Sequence, residues 1–489
     1  MMRTLFIKEI REALASRRFW VILALCLVLI PLGVEVSLRD YQTRLQNYRE
    51  AVRISQESTK NIGDMENTRA RIAPGGSKRI QDILSGEGAK AFAPPSPLSF
   101  ISLGLEPVLP NIAETPAGRV DPPVTMRLSN NQGRDNLYEF FYGPLDLIFI
   151  VAVVMSFLAV ILTYGAVAGE KEQGTLRQVL SNSVPRAGVI LAKAAANAIV
   201  LLLPFLLSLV LSLTILELQG SPLGSVPGAW TSLGLAVLIS VLFIGVFFNL
   251  GLLVSSLTKQ AVPALVALLL AWVFLYGVYP RLSSAAAQIF YPVKSEAQVA
   301  LEKAQIRRNI EKERDAEIDK IAEAMPEDWK SEAFKEGEKK QADIRGRYQA
   351  RLEENWRTLE RDVEQRRTSR NALTAAIARL SPVSELVRPL AELSRTGWLE
   401  SEQFRTEVRQ YEEVLNRDIF SKKSEVRTKN SVSTSNSADR DAPAPVFTYA
   451  PTREESIIRN VLPDIVLLIV FNFIFFAGGF VAFLRYDVR

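Results

Sequence analysis

The chain has 489 residues, 48% of them apolar, with a formal net charge of +5, one cysteine and no histidine. One cysteine, Cys26, excludes an intramolecular disulfide, and the missing histidines remove the commonest transition-metal ligand and the usual general base. The modest positive charge is spread over helix flanks and mixed-charge tracts, so no concentrated basic patch of the kind nucleic acid requires is present.

Long uncharged runs alternate with charged tracts, which predicts an all-α polytopic membrane protein. Six transmembrane helices carry a largely helical extracytoplasmic domain built from two insertions. Residues 1–18 are basic, with Leu5, Phe6, Ile10 and Leu14 placed to lie along the interface as a cytoplasmic amphipathic elbow helix. Residues 19–38 form transmembrane 1. This run is longer than the ~7–15 residues of a signal-peptide core and shows no small-residue cleavage site, so an uncleaved anchor is expected. Residues 39–144 are the first insertion. It is helical in pattern over 39–71, proline-rich and irregular over 91–123, and has a turn at Asn130-Asn131-Gln132-Gly133. Tyr138, Phe140, Phe141 and Tyr142 then mark the headgroup level. Asp146 lies at the start of transmembrane 2 (145–164), either as a polar contact at the outer mouth or as an N-cap or first-turn acid.

After the charged loop 165–187 come transmembrane 3 (188–217), a short outer loop (218–228), transmembrane 4 (229–257), a turn (258–260) and transmembrane 5 (261–280). Residues 281–460 are the second insertion, 461–484 transmembrane 6 and 485–489 a tail. With six spans, Arg11, Arg17, Arg18, Lys171, Arg177, Arg186, Lys193, Lys259, Arg485 and Arg489 all fall on one side. The short outer loop has no Lys or Arg. That asymmetry puts both termini in the cytoplasm and both insertions outside it.

In the second insertion, Ile344, Tyr348, Leu352, Trp356, Leu359, Val363, Leu373, Ile377 and Leu380 recur mostly at three- and four-residue steps. They predict one buried stripe on a long helix, with Trp356 and Leu359 in the seam. Ile306, Ile310, Ile318 and Ile321 give a partner stripe, so an antiparallel hairpin turning near Met325-Pro326-Glu327-Asp328 is expected. Two shorter helices follow at 383–393 and 401–420, and 421–445, rich in Ser, Lys and Asn, reads as a mobile linker. Within the spans, Pro31, Pro204 and Pro263 are expected to kink helices. Glu35, Asn197, Asn249 and Asn472 are costly in lipid, which makes them candidates for a path lining or a protomer interface; Asn also bridges helices structurally.

The loop between the second and third spans carries the most specific string, Ala168-Gly169-Glu170-Lys171-Glu172-Gln173-Gly174-Thr175-Leu176, followed by Pro185-Arg186. It predicts a short charged helix, capped by Thr175 and ended by Pro185. Glu172, Thr175, Leu176 and Val179 would share a face. This string resembles the coupling-helix segment of ABC type-2 (export-type) permeases, in which that helix sits in a groove of the ATPase subunit. Pro97-Leu98-Ser99, Gly104-Leu105-Glu106-Pro107, Leu145-Asp146 and the region from Leu380-Ser381-Pro382 to Gly397 are similar to a subgroup with six spans and two large extracytoplasmic insertions. That subgroup is related to the nitrous-oxide-reductase maturation permease.

The resemblance implies ATPase coupling through Glu170, Glu172, Gly174, Thr175, Leu176 and Val179, with Leu176 and Val179 in the groove and the two acids at its rim. It implies ABC ATPase subunits as partners, a second permease chain (identical or paralogous) and the bacterial cytoplasmic membrane as location. No G-x-x-x-x-G-K-S/T string occurs, so the chain itself holds no cofactor, and ATP with Mg belongs to the partner ATPase. The expected function is export or extraction of a substrate. The alternative is a membrane-anchored mechanical or assembly scaffold acting on an extracytoplasmic protein partner.

Overall fold

The computed structural model describes residues 2–70, 90–115, 126–129, 145–181, 185–220, 222–324, 326, 331–429 and 446–486. The turn expected at 130–133, the aromatic belt at 138–142, the linker from 430 to 445, the tail beyond 486 and most of the expected hairpin turn lie outside the described residues. Among those described, six helices are long and apolar enough to cross a membrane. The chain divides into two compact units, residues 1–276 with 382–489, and residues 277–381.

In the first unit, α1 (Met2–Ala15) ends at Ser16, whose hydroxyl donates to the Ala13 carbonyl (2.6 Å) and accepts from the Phe19 amide (3.3 Å). One serine thus closes α1 and opens α2 (Arg17–Ala70). The first span and the helix expected after it are one continuous element, because nothing breaks it at the polar boundary. The i,i+4 pairs Glu35–Arg39 (2.7 Å) and Asp40–Arg44 (2.8 Å) bridge that point. Pro31 sits inside the helix without ending it. The proline-rich segment expected to be irregular holds two short strands, β1 (Lys90–Phe92) and β2 (Ile112–Glu114). With β3 (Arg127–Ser129) they pair antiparallel in the order β1-β2-β3. Strands this short have too little period-2 pattern to be read from sequence.

The second span, α3, runs through Leu147–Phe149, a π-helical stretch Ile150–Met155 and Ser156–Thr163. It is followed by α4 (Ala168–Gln173), α5 (Thr175–Ser181) and the third and fourth spans α6 (Arg186–Leu218) and α7 (Ala229–Leu257). Next come α8 (Ala261–Val273), a π-helical turn Phe274–Val278 and α9 (Tyr279–Phe290), the last belonging to the second unit. Helix therefore continues past residue 280, where the fifth span was expected to end. Pro280 lies in the first turn of α9, where no amide donor is needed.

Phe205, Phe243, Phe247, Met155, Val151, Ile30 and Leu468 are fully buried and fill the space between spans. Lipid offers no hydrophobic driving force between helices, so close packing decides. A Cβ on Gly479 would lie 3.1 Å from the Leu253 backbone nitrogen, which marks how closely the last span approaches α7.

The second unit is built on the antiparallel pair α10 (Glu296–Glu323) and α11 (Glu332–Ala378). A capping box of Ser295 and Gln298 starts the first helix, and Ser331 accepts from the Phe334 amide (3.2 Å) to start the second. Ion pairs Lys303–Glu360, Glu313–Arg351 (2.7 Å) and Glu317–Arg347 (3.0 Å) run across the antiparallel pair. Ile310, Ile344, Leu352 and Leu359 are buried, as the stripe predicts. Trp356 differs from the expectation. It is only half-buried; its indole N–H donates to the Lys303 carbonyl (3.3 Å), and the Arg307 guanidinium lies 4.9 Å over its ring. Leu380, beyond the helix end at Ala378, is 68% exposed and drops out of the stripe.

Back in the first unit, α12 (Ser384–Leu393), α13 (Trp398–Lys429) and the last span α14 (Glu454–Leu484) complete the chain. The helix α13 takes up 421–429, which was expected to belong to the linker. Lys422, Lys423, Glu425 and Arg427 are good helix formers and continue a helix already nucleated.

Candidate functional site

The loop between the second and third spans is assembled from contacts with distant parts of the chain. As the backbone leaves α3, the buried Ser255 of α7 accepts from the Val167 and Ala168 amides (3.0 Å each) and donates to the Tyr164 carbonyl (2.8 Å). Two of the amides that have no partner within their own helix at the start of α4 are thereby satisfied by another span. Gly174 then adopts φ +74°, a left-handed conformation that a side chain would strain, and its amide closes on the Lys171 carbonyl (3.3 Å). Pro185, extended, turns the chain into α6.

Three consecutive charges hold this segment in place. Glu170 accepts from Lys193 of α6 (2.5 Å), and the same ammonium reaches Glu9 of α1 at 3.4 Å. Lys171 donates to the carbonyls of Ser256 and Thr258 (3.1 Å for the latter), at the end of α7, and lies 4.6 Å over the Tyr486 ring. Glu172 accepts from the Ala261 amide (3.0 Å), at the start of α8. Lys171 and Glu172 each meet the helix end whose dipole it complements, the cation at a C-terminus and the anion at an N-terminus. Nearby, Arg186 donates to the carbonyls of Leu484 and Tyr486 (3.1 Å each) and so caps the last span.

The expected single helix is therefore two, separated at Gly174, and this changes the proposed face. The left-handed residue breaks the helical phase, so Glu172 does not line up with Thr175 and Leu176. Thr175 is no N-cap; its hydroxyl donates weakly to the Glu170 carbonyl (3.4 Å). Leu176 is 1% exposed, buried with Val167, Val189, Ile190 and Phe483, so within this chain it is an internal anchor. Glu170 is likewise engaged within the chain. The side chain of Val179 lies outside the described residues. Among the described side chains of α4 and α5, Glu172, Gln173, Arg177 and Gln178 are exposed.

The other candidates divide among structural tasks. Glu35 accepts from Arg39 (2.7 Å) and from Gln219 (3.0 Å), clasping the first span to the end of the third. Asp146 is an N-cap, accepting from the Phe149 amide (2.9 Å), and it also accepts from the Leu103 amide (3.3 Å). Asn249 donates to Asn472 (2.8 Å), whose own amide donates to the Leu242 and Leu468 carbonyls (2.8 and 2.9 Å). This pair bridges the fourth and sixth spans; Asn197, half-buried on α6, takes no part in it. The structure brings Glu170, Glu172, Gly174, Thr175 and Leu176 together and, of the five polar span residues, joins only Asn249 with Asn472.

Sequence reasoning passed over Ser255, the contacts made by Lys193 and Arg186, and the ion pair of Arg388 on α12 with the fully buried Asp464 of the last span. Asp464, an acid inside an apolar run, was the readable signal for that pair. Glu392, at the end of α12, accepts from the Trp398 and Leu399 amides (3.1 and 3.2 Å). Burial pushes its carboxyl above the ordinary glutamate range, against those hydrogen bonds and the nearby Arg388.

Residues 3–350 match the sequence model of a family described as ABC-2 family transporter protein. No curated protein matches the chain.

Proposed function

The chain belongs to the ABC-2 family of transporter proteins, and from that premise we propose that it is the permease subunit of an ATP-driven complex. Two permease chains, identical or paralogous, pair in the bilayer, and two ATPase subunits dock on the face that carries residues 165–187. ATP and Mg²⁺ are bound by the ATPases. This chain converts their closure into movement of its spans, exporting a substrate or extracting it from the membrane. The Lys/Arg asymmetry supports a cytoplasmic position for that face and for both termini, and an extracytoplasmic one for the two insertions.

The observation that carries this reading is the Glu170-Lys171-Glu172 junction. A loop held by α1, α6, α7 and α8 together passes a push to several spans, whereas a solvated loop would absorb it. The docking surface assigned here is made of the exposed side chains Gln173, Arg177 and Gln178, with the buried Leu176 anchoring α5. Like-charge or unpaired charge at a contact weakens assembly more than loss of a rim pair does. The double substitution Arg177→Glu with Gln178→Glu is therefore expected to cut co-purification of the ATPase at least tenfold while the permease still inserts. Undiminished co-purification and ATP hydrolysis would reject this surface.

A further inference from the structure

The break at Gly174 divides the loop into pieces with different attachments. Helix α4 is tied to the turn between the fourth and fifth spans at three points. Ser255 holds its first amides, Lys171 holds the carbonyls of Ser256 and Thr258, and Glu172 holds the Ala261 amide. Helix α5 is seated instead by Leu176, among Val189 and Ile190 of the third span and Phe483 of the last. Between them stands a left-handed glycine with nothing within 4 Å of the place a Cβ would occupy. The turn 258–260 is short enough for two adjacent side chains to reach both of its ends. Their order along the chain matches the dipoles, with Lys171 on the C-terminus that comes first and Glu172 on the N-terminus that follows. Reversing the two charges would place each against the end that repels it.

We propose that Lys171 and Glu172 are positioning residues that clamp the 258–260 turn to the docking segment, so that the ATPase stroke moves the fourth and fifth spans as well as the spans on which the loop is threaded. Glu170 adds a separate tie to the third span through Lys193. The clamp rests on the docking role proposed above, and it adds a specific route: α4 to spans four and five, α5 to spans three and six. A purely structural turn would need no outside partners of opposite sign, since a short loop leaves both helix ends at the aqueous surface, where water satisfies them.

The test uses the full complex purified with its ATPase, in a Cys26→Ser background. Spin labels are placed at Leu191→Cys, exposed on the third span α6, or Lys259→Cys in the turn, and protomer-to-protomer distances are measured with and without trapping by ATP and vanadate. In the otherwise unaltered complex both labels are expected to shift on trapping. With Lys171→Met and Glu172→Ala combined, the shift at 191 persists and that at 259 falls by at least half. Glu172→Gln keeps an acceptor for the Ala261 amide and retains most of it. A shift at 259 that is unchanged in the double variant overturns the clamp, as does a 259 label that stays still while 191 moves. If 191 itself does not move, the docking role fails and the clamp falls with it. Should the double variant not assemble, Lys171→Met and Glu172→Ala are read singly with the same two labels, where a fall at 259 alone supports the clamp and an unchanged 259 shift overturns it.

Discussion

The loop at 165–187 and the hairpin at 296–378 are both helical and both dense in charge, yet they use it differently. Along the hairpin, ion pairs run between exposed side chains; in Glu313–Arg351 both partners are about half exposed. Such pairs are typically worth about 0–1 kcal/mol, and the hairpin is held by its stripe of Ile310, Ile344, Leu352 and Leu359. In the loop the carriers are mostly covered, with the Lys193 side chain 13% exposed, and their partners include the ends of other helices. There the charges fix position. Charge density on its own therefore says little about whether a segment is a solvated face or a junction; what it touches decides.

The comparison is broken most severely at Leu176. An aspartate there would place a carboxylate among Val167, Val189, Ile190 and Phe483, with an expected cost above about 4 kcal/mol. Leu176→Asp should therefore lower the thermal stability and yield of the permease itself, measured in detergent without the ATPase. Normal stability with loss only of ATPase binding would show that Leu176 faces a partner after all. A smaller effect is expected in the hairpin. Trp356→Ala removes a half-buried ring and its cation contacts, so about 2–3 kcal/mol is expected, below the ~3–5 of a fully buried tryptophan. Hydrogen exchange of α10 and α11 in the intact chain reads this as faster local opening. The smallest effect belongs to Arg351→Ala, which should leave the same exchange rates unmoved. If it slowed or sped them as much as Trp356→Ala, the exposed pairs would be structural and the contrast would fail.

Much of this was legible in the sequence. Six apolar runs gave the spans because lipid admits little but helix. The hairpin stripe was readable because a three- and four-residue period survives over a helix as long as Glu332–Ala378. The Glu170–Thr175 string located the junction. Its internal wiring was not legible, since Lys171 and Glu172 meet Ser256, Thr258 and Ala261, about ninety residues away, and no local pattern encodes such a meeting. Gly174 did carry a signal: a glycine after a short polar helix is a common C-terminal punctuation mark, and reading one helix through it placed Leu176 on one face with Glu172. The half-exposure of Trp356 was hidden for a related reason, because a periodic apolar position at the edge of a stripe looks the same as one at its centre. Glu425 and Arg427 were misplaced into a linker because composition was weighed above the helix they extend.

The central claim is that the 165–187 face receives an ATPase. The most direct measurement places a photocrosslinking amino acid at Gln178 in the complete complex in native membranes, with and without ATP and vanadate. The account predicts a covalent adduct between this chain and an ATPase subunit whose yield changes on nucleotide trapping, and no such adduct from the buried position of Leu176. An inserted, stable permease that gives no ATPase adduct at Gln178 in either state would contradict it.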